Sequence, residues 1–195
     1  MAMDAFSASL MADKREIIFA PTVYKFQTFA QMAEEFQLNE RDVVLTNEFI
    51  YTPFMKELGL KCSFVFQEKF GAGEPSEAMI QTMYDAIPYD SYDRVIAVGG
   101  GAIMDLCKLL GCKRPDSVHE LYYKRFPVVH EKDVIAIPTT CGTGSECTNI
   151  SVAIVRSNPS CHSLKGSMSL IMESIWICRC SSRRSAVSQE LRSEA

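Results

Sequence analysis

The 195-residue sequence lacks the features that mark several classes of protein. It has no excess of basic residues, since its formal net charge is −4, and nucleic-acid-binding proteins normally show a basic patch or stripe. No apolar run is long enough to cross a bilayer. No basic region precedes the weakly apolar stretch near the first residue, as it would in a secretory signal. We therefore expect a cytoplasmic protein without nucleic-acid or membrane partners.

Residues that commonly bind metals are few or poorly spaced. The sequence has three histidines, His119, His130 and His162, and its eight cysteines show no paired CxxC spacing of the zinc-ribbon type. Cys178 and Cys180 near Cys161 and His162 suggest a zinc site, but their spacing fits no common structural one. Reduced thiols in a reducing compartment are the simpler interpretation.

What the sequence does contain is an alternation of short apolar runs and helical patterns, typical of a parallel sheet joined by crossover helices. We therefore predict an α/β fold. Four apolar runs predict strands, at residues 43–46, 64–66, 95–98 and 134–137. The last two are apolar throughout and so predict central strands, which helices cover on both faces.

Three segments predict helices. Residues 76–87 place apolar side chains, among them Met79 and Met83, on one helical face, with Ser76 as the N-cap. Residues 102–110 predict a second helix that Gly111 can end. A shorter helix is predicted at residues 53–58. The methionines are expected to fill core space rather than to contact a ligand.

Three glycines, Gly99, Gly100 and Gly101, follow the strand at 95–98 and precede a helix. They let the backbone approach a ligand closely, and the free N–H groups and positive end of the helix dipole attract phosphate. A tight turn also favours glycine, so the triplet alone does not prove phosphate binding. Asp105 is expected in the first helical turn, where the dipole stabilises an acid. Lys108 is interpreted as structural, pairing with Asp105 by only a few tenths of a kcal/mol.

A second loop, at residues 138–149, follows the strand at 134–137 and offers hydroxyl groups, glycines and main-chain amides. Such a loop can hydrogen-bond a ribose, a phosphate or a nicotinamide amide. An ordinary connection rich in glycine and threonine is the alternative. Because ligands of open α/β sheets bind at the carboxyl ends of the strands, we predict that both loops converge on one site.

The two loops carry motifs that resemble those of iron-containing alcohol dehydrogenases. VIAVGGGAIMDLCK resembles the family signature GGGSxxDxxK, and IPTTCGTGSECTN resembles PTTxGTGSExT. The stretches TNEFIYTPF and FVFQEKFGAGEPSEAMI are similar to the 4-hydroxybutyrate dehydrogenase branch of that family. The likeness runs from about Ile17 to Ala153. It implies a Rossmann-like parallel sheet with flanking helices, as in the N-terminal domain of dehydroquinate synthase.

The resemblance also implies an NAD site. In the family the glycine triplet holds the cofactor pyrophosphate, here Gly99, Gly100 and Gly101, with Asp105 in the same site. The second loop borders the nicotinamide, which implies contacts from five residues: Thr139, Thr140, Thr143, Ser145 and Thr148.

Two positions depart from the family pattern. An acid at the end of the second strand commonly contacts the adenosine ribose, but this sequence has Asn47 there, followed by Glu48. Asn47 lacks the charge that repels a ribose 2′-phosphate, so NAD is favoured over NADP only weakly. Ala102 replaces the usual serine of the glycine signature, which implies one lost hydroxyl contact to phosphate.

The implied reaction is hydride transfer between nicotinamide and an alcohol or aldehyde carbon, with a divalent metal polarising the substrate oxygen. In the family that metal, iron or zinc, is held by one aspartate and three histidines of a second, helical domain. The sequence shows no counterpart of these ligands. We therefore interpret the chain as a truncated enzyme that lacks the C-terminal metal-binding domain and can at most bind the cofactor.

The composition changes after Val155. Residues 156–195 contain eleven serines, and six basic residues against three acids. We predict three regions: a weakly ordered segment at 1–15, a dinucleotide-binding domain at 16–155, and an atypical tail at 156–195. The tail is interpreted as out-of-frame sequence, and a disordered native tail is the alternative.

The function expected from the resemblance is NAD-dependent interconversion of 4-hydroxybutyrate, a small-molecule substrate, and succinate semialdehyde. One alternative is a non-catalytic nucleotide-binding fragment. Another is a related metal-dependent alcohol or glycerol dehydrogenase. A homo-oligomer is compatible with each of these functions.

Overall fold

The computed structural model describes residues 22–123 and 125–155, and the backbone of two later strands at 166–171 and 176–180. Its strands are β1 (Val23–Phe26), β2 (Asp42–Thr46), β3 (Ser63–Phe66), β4 (Arg94–Gly99), β5 (Asp133–Pro138), β6 (Ile150–Val155), β7 (Gly166–Ile171) and β8 (Trp176–Cys180). Its α-helices are α1 (Phe29–Glu35), α2 (Glu48–Phe54), α3 (Glu77–Ala86), α4 (Gly101–Leu110) and α5 (Val118–Tyr122).

Six of these strands form one parallel sheet in the order β1-β8-β5-β4-β2-β3. Val98 of β4 is level with Thr46 of β2 and with Ile137 of β5. The carboxyl ends of the central strands therefore lie side by side at one edge of the sheet. Strands β6 and β7 form a separate antiparallel pair.

The sheet has a hydrophobic core on each face, because successive strand residues point to opposite sides. On one face Val95 and Leu45 pack in a cluster with residues of α3, α4 and α5. On the other face Val44 and Ile96 pack with residues of α1 and α2. The four predicted strands and the prediction of an α/β parallel sheet covered on both faces are confirmed.

Helix α3 shows how directly the sequence specifies this packing. The Ser76 hydroxyl accepts a hydrogen bond from the main-chain N–H of Met79, at 3.3 Å, and so caps the helix N-terminus. Met79 and Met83 are 4% and 1% exposed, which confirms that they fill the core. Helix α4 also follows its prediction, beginning at Gly101 and ending at the Gly111 cap.

The helix predicted at residues 53–58 is wrong in its bounds. Helix α2 begins at Glu48 after an extended Asn47, and a separate 3-10 turn occupies Lys56–Leu58. Pro53 lies near the end of α2 rather than at its start. The apolar residues at the start of α2 do not mark one buried helical face, because Phe49 is 72% exposed while Ile50 is buried. The sequence therefore offers little sign of where this helix begins.

Two strands lie beyond Val155, where the sequence predicted no regular element. The backbone of β8 lies between β1 and β5 in the parallel sheet, and that of β7 pairs with β6. Strand pairing uses main-chain N–H and C=O groups, which every non-proline residue carries, so composition signals it poorly. Among the described helices, none is long and apolar enough to span a membrane.

Candidate functional site

The two loops predicted to converge do meet at the carboxyl edge of the sheet. Gly99, at the end of β4, is level with Pro138, at the end of β5. The main-chain N–H of Thr139 donates to the Gly99 carbonyl oxygen at 3.0 Å. This hydrogen bond fixes the start of one loop against the start of the other, and the predicted convergence is confirmed.

The glycines leave a space that side chains of the second loop border. A Cβ atom on Gly100 would lie 3.3 Å from the Thr140 hydroxyl oxygen, and one on Gly101 would lie 3.0 Å from the Thr143 methyl carbon. Any larger side chain would therefore fill the space between the loops. This close approach of bare backbone is what an elongated phosphate group requires.

Helix α4 presents its N-terminus to the same space. Its N-cap is Gly100, which has no side chain to satisfy the first N–H groups. The first hydrogen bond within the helix runs from the N–H of Met104 to the carbonyl of Gly100, at 3.1 Å. The N–H groups of residues 101–103 therefore have no acceptor inside the helix, and with the helix dipole they favour an anion.

A buried ion pair lies beneath these loops. Lys108 is 1% exposed and Asp105 is 8% exposed. The Lys108 Nζ donates to the Ser145 hydroxyl at 2.9 Å and to the Ile150 carbonyl at 2.6 Å, and it lies 3.4 Å from the Asp105 Oδ1. Burial lowers the pKa of Lys108, and the charge of Asp105 opposes that shift. The lysine thus joins α4 to the second loop and to β6.

Asp105 completes this connection. Its Oδ1 accepts a hydrogen bond of 2.5 Å from the Ser145 hydroxyl, and its Oδ2 accepts one of 3.2 Å from the N–H of Val152. The hydroxyl of Ser151, which is fully buried, donates to the Asp105 carbonyl at 3.0 Å. Both carboxylate oxygens therefore have partners within the protein, which makes Asp105 an anchor for the second loop.

Two sequence expectations about this pair are corrected. Asp105 lies in the second turn of α4, and the first turn holds no acid. The pairing with Lys108 is not the weak surface interaction that the spacing suggested, because burial removes the water that would screen it. The spacing of three residues gives the contact but not its burial, which depends on β6 and on the second loop.

The structure separates the predicted residues of the second loop into two groups. Thr139, Thr140 and Thr143 are exposed along the rim of the glycine loop. Ser145 is 8% exposed and bonded to Asp105, while the Thr148 hydroxyl lies 3.5 Å from the Lys108 Nζ. The first group is accessible to a ligand. The second group, the buried Ser145 and the exposed Thr148, contacts the ion pair and holds the loop in place.

Asn47 lies at the end of β2, next to the glycine loop in the sheet order. It precedes α2 in an extended conformation, and its side chain does not cap the helix. Instead its Nδ2 donates to the Glu68 Oε1 at 3.0 Å. Sequence reasoning missed Glu68 and Ser151. The position of Glu68, two residues beyond β3 at the same sheet edge, was a usable signal.

The described residues do not fit the metal of the implied reaction. Across 22–123 and 125–155, no three side chains of histidine, cysteine, aspartate or glutamate are grouped so that they could hold an ion. His119 lies 3.2 Å from the Glu77 Oε1 and stacks on the ring of Tyr123. Cys161 and His162 lie outside the described residues. No catalytic step through a metal can be derived from this part of the chain.

The family model for iron-containing alcohol dehydrogenase matches residues 20–168. The chain belongs to this family. It is 44% identical over 147 residues to the 4-hydroxybutyrate dehydrogenase of Clostridium kluyveri, a match that covers 75% of this chain and 39% of that protein. It is also 37% identical over 87 residues to the mitochondrial hydroxyacid-oxoacid transhydrogenase of Homo sapiens, covering 40% of this chain and 19% of that protein. The chain thus spans well under half the length of these relatives.

Solved structures agree with the fold. The iron-containing alcohol dehydrogenase of Thermotoga maritima superimposes with a TM-score of 0.65 at 23% identity, covering 85% of this chain and 47% of that one. The sulfoacetaldehyde reductase of Bifidobacterium kashiwanohense, solved in complex with NAD+, gives a TM-score of 0.65 at 20% identity, covering 85% and 46%. At such identities the comparison supports the shared fold alone.

Proposed function

We propose that this chain binds NAD at the carboxyl edge of its sheet, as the nucleotide-binding part of a dehydrogenase. The observation that carries this proposal is the uncapped N-terminus of α4 beside three glycines and an exposed threonine rim. The N–H groups of residues 101–103 would bind the pyrophosphate. A solved relative in complex with NAD+ has the same fold, which supports this choice of cofactor.

Each predicted site residue has a place in this proposal. Gly99, Gly100 and Gly101 would allow the pyrophosphate to approach the backbone. The exposed rim of the second loop would border the nicotinamide through Thr139, Thr140 and Thr143. Asp105, Ser145 and Thr148 would act indirectly. The hydrogen bonds of the buried Asp105 and Ser145, and the contact of the exposed Thr148 with Lys108, would hold that rim in place. Asn47 would lie beside the adenosine ribose.

For the whole enzyme we propose interconversion of 4-hydroxybutyrate and succinate semialdehyde by hydride transfer, in the cytoplasm. Two relatives carry names that specify hydroxy acids, a 4-hydroxybutyrate dehydrogenase and a hydroxyacid-oxoacid transhydrogenase. Bound NAD supplies the hydride acceptor. The residues of this chain hold and orient it, whereas contacts to the substrate would come from the part of the relatives that the chain does not span.

A titration of the purified chain with NADH, followed by the fluorescence of the nicotinamide, tests the cofactor proposal. We expect saturable binding that Gly100→Val weakens at least tenfold, because its side chain would fill the space beside Thr140. Ala86→Val, at the exposed last residue of α3, is the control and should leave the affinity unchanged. Absence of NADH binding by the folded wild-type chain would refute the proposal.

The same sample tests whether the chain alone can catalyse the oxidation of 4-hydroxybutyrate. We expect NADH binding without oxidation of 4-hydroxybutyrate when NAD and a divalent metal are supplied. Turnover by the 195-residue chain would contradict the interpretation that substrate contacts lie elsewhere in the relatives.

A further inference from the structure

The carboxylate of Glu68 is held in a defined position at the carboxyl edge of the sheet. Its Oε1 accepts a hydrogen bond of 3.0 Å from the Asn47 Nδ2 and one of 3.1 Å from the main-chain N–H of Glu48. Both of these bonds end on Oε1, which leaves Oε2 to accept a bond from a ligand hydroxyl. Glu68 is otherwise exposed to solvent. An exposed glutamate is usually mobile, whereas this one is fixed by two donors from the start of α2.

The sheet register places this carboxylate beside the proposed path of the dinucleotide. Thr46, the last residue of β2, is level with Val98 of β4 and with Phe66 of β3. Its hydroxyl donates to the Val98 carbonyl at 2.8 Å, which ties the two strand ends together. Asn47 therefore follows directly beside the glycine loop, and Glu68 lies one strand further along the same edge.

In dinucleotide-binding sheets of this type, an acid at the end of the strand next to the glycine loop bonds the ribose hydroxyls and disfavours a 2′-phosphate. Here that position is Asn47, which carries no charge. We propose that Glu68 supplies the missing carboxylate from the neighbouring strand, so that Glu68 selects NAD over NADP. Asn47 acts as its positioning residue. This inference rests on the proposed NAD site and adds the residue that determines cofactor specificity.

Two other charged residues lie close by. Glu48 contributes its main-chain N–H to Glu68, and its own side chain is exposed in the first turn of α2. The Lys69 ammonium lies 5.3 Å from the centre of the Phe66 ring, in a cation–π contact. A lysine that instead bound a 2′-phosphate would reverse the preference and favour NADP.

The test compares wild type, Glu68→Gln and Glu48→Gln for binding of NADH and NADPH. Glutamine keeps an oxygen that can accept the bonds from Asn47 and Glu48, so the start of α2 is preserved and only the charge is removed. We expect wild type to prefer NADH and Glu68→Gln to lower the NADH-to-NADPH affinity ratio roughly tenfold, mainly through tighter NADPH binding. Glu48→Gln, which removes the same charge one residue from Asn47, should change that ratio less than about twofold.

A second pair of ligands isolates the ribose from the rest of the cofactor. AMP and adenosine 2′,5′-bisphosphate differ only by the 2′-phosphate, and the ratio of their affinities should change in Glu68→Gln by the same factor. An unchanged ratio, an equal loss of both ligands, or a wild-type preference for NADPH would overturn the role of Glu68 while the NAD site stands. Failure of wild type to bind either dinucleotide would overturn the proposed function, and this inference with it.

Discussion

The two ends of the parallel sheet are both polar, but they use their polar groups differently. At the amino end, Arg94 donates to both carboxylate oxygens of Asp42, at 2.7 and 2.8 Å, and Arg41 forms an ion pair of 2.6 Å with Asp93. At the carboxyl end, the main-chain N–H groups at the start of α4 have no acceptor within the helix. The two arginines at the amino end are bonded to carboxylates, whereas the N–H groups at the start of α4 have no helical acceptor and can bind a ligand.

This comparison shows that a polar cleft is not by itself a binding site. A cleft of about 300 Å³ lies at the amino end, and Arg41, Asp42, Asp93, Arg94 and Asp133 are among the residues that line it. The two guanidinium groups of this cleft are bonded to the carboxylates of Asp42 and Asp93. The more open surface formed by the glycine loop and the threonine rim is the better candidate, because the N–H groups of residues 101–103 have no acceptor within α4 and ligands bind at that end of such sheets.

The largest effect is expected at the buried ion pair beneath the carboxyl-end loops. Lys108→Met should lower the free energy of unfolding by about 3 kcal/mol or more, because it leaves the Asp105 carboxylate buried without its cation. NADH affinity should fall as well, since the second loop loses its attachment. Urea unfolding and NADH titration measure the two effects.

The matched control for that variant is Lys113→Met, which removes an exposed lysine that follows α4. This variant should change the free energy of unfolding and the NADH affinity very little. Equal destabilisation by the two lysine variants would mean that burial of Lys108 contributes nothing specific.

The second-largest effect is expected at the amino end, where a substitution should lower the stability of the fold without changing NADH affinity. Asp42 is 2% exposed, so Asp42→Asn should cost about 2–3 kcal/mol by leaving Arg94 without its partner, while the folded protein keeps its NADH affinity. Asp93→Asn breaks an ion pair that is at least half exposed and should cost less than about 1 kcal/mol. Loss of NADH affinity in Asp42→Asn, measured under conditions where it is folded, would remove the distinction between the two ends.

A third and smaller effect tests whether the cofactor phosphate binds at the carboxyl end of the sheet. Ala102→Ser restores the serine of the family signature in the first turn of α4, where a hydroxyl can donate to phosphate. NADH affinity should rise by about threefold to tenfold, the range expected for one added hydrogen bond to a charged group that is partly exposed. Ala86→Ser, on the exposed surface of α3, should have no effect on the same titration. A weaker affinity in Ala102→Ser would argue against phosphate at this turn.

The smallest effect concerns pH at the amino end. Burial lowers the pKa of His130, with Asp133 opposing, so the unfolded chain binds a proton more readily than the folded one as pH falls through 6.5. Stability contributed by neutral His130 is therefore complete above about pH 7 and declines on acidification, by an expected 1 kcal/mol or less down to pH 5.5. Thermal unfolding of His130→Gln should show a flatter pH dependence than wild type. An unchanged pH profile in that variant would assign the acid sensitivity to other groups.

The sequence by itself determined the central strands, helices α3 and α4, and the two loops of the candidate site. Continuous apolar runs at 95–98 and 134–137 are typical of strands covered on both faces, and the Ser76 cap and Gly111 stop are local signals. The glycine triplet and the Thr139 to Thr148 segment are contiguous in the chain, so their motifs were visible without any knowledge of the fold.

Tertiary structure alone decided the burial of Lys108 and Asp105, the pairing of Asn47 with Glu68, and the place of β8 between β1 and β5. Each depends on residues far apart in the chain: Lys108 meets Ser145, and Asn47 meets Glu68. Local patterns specify which face of an element is apolar, but the environment of a charged side chain depends on which distant segment packs against it. For this reason the sequence identified the loops, and only the packing showed which of their residues anchor them and which are free to bind.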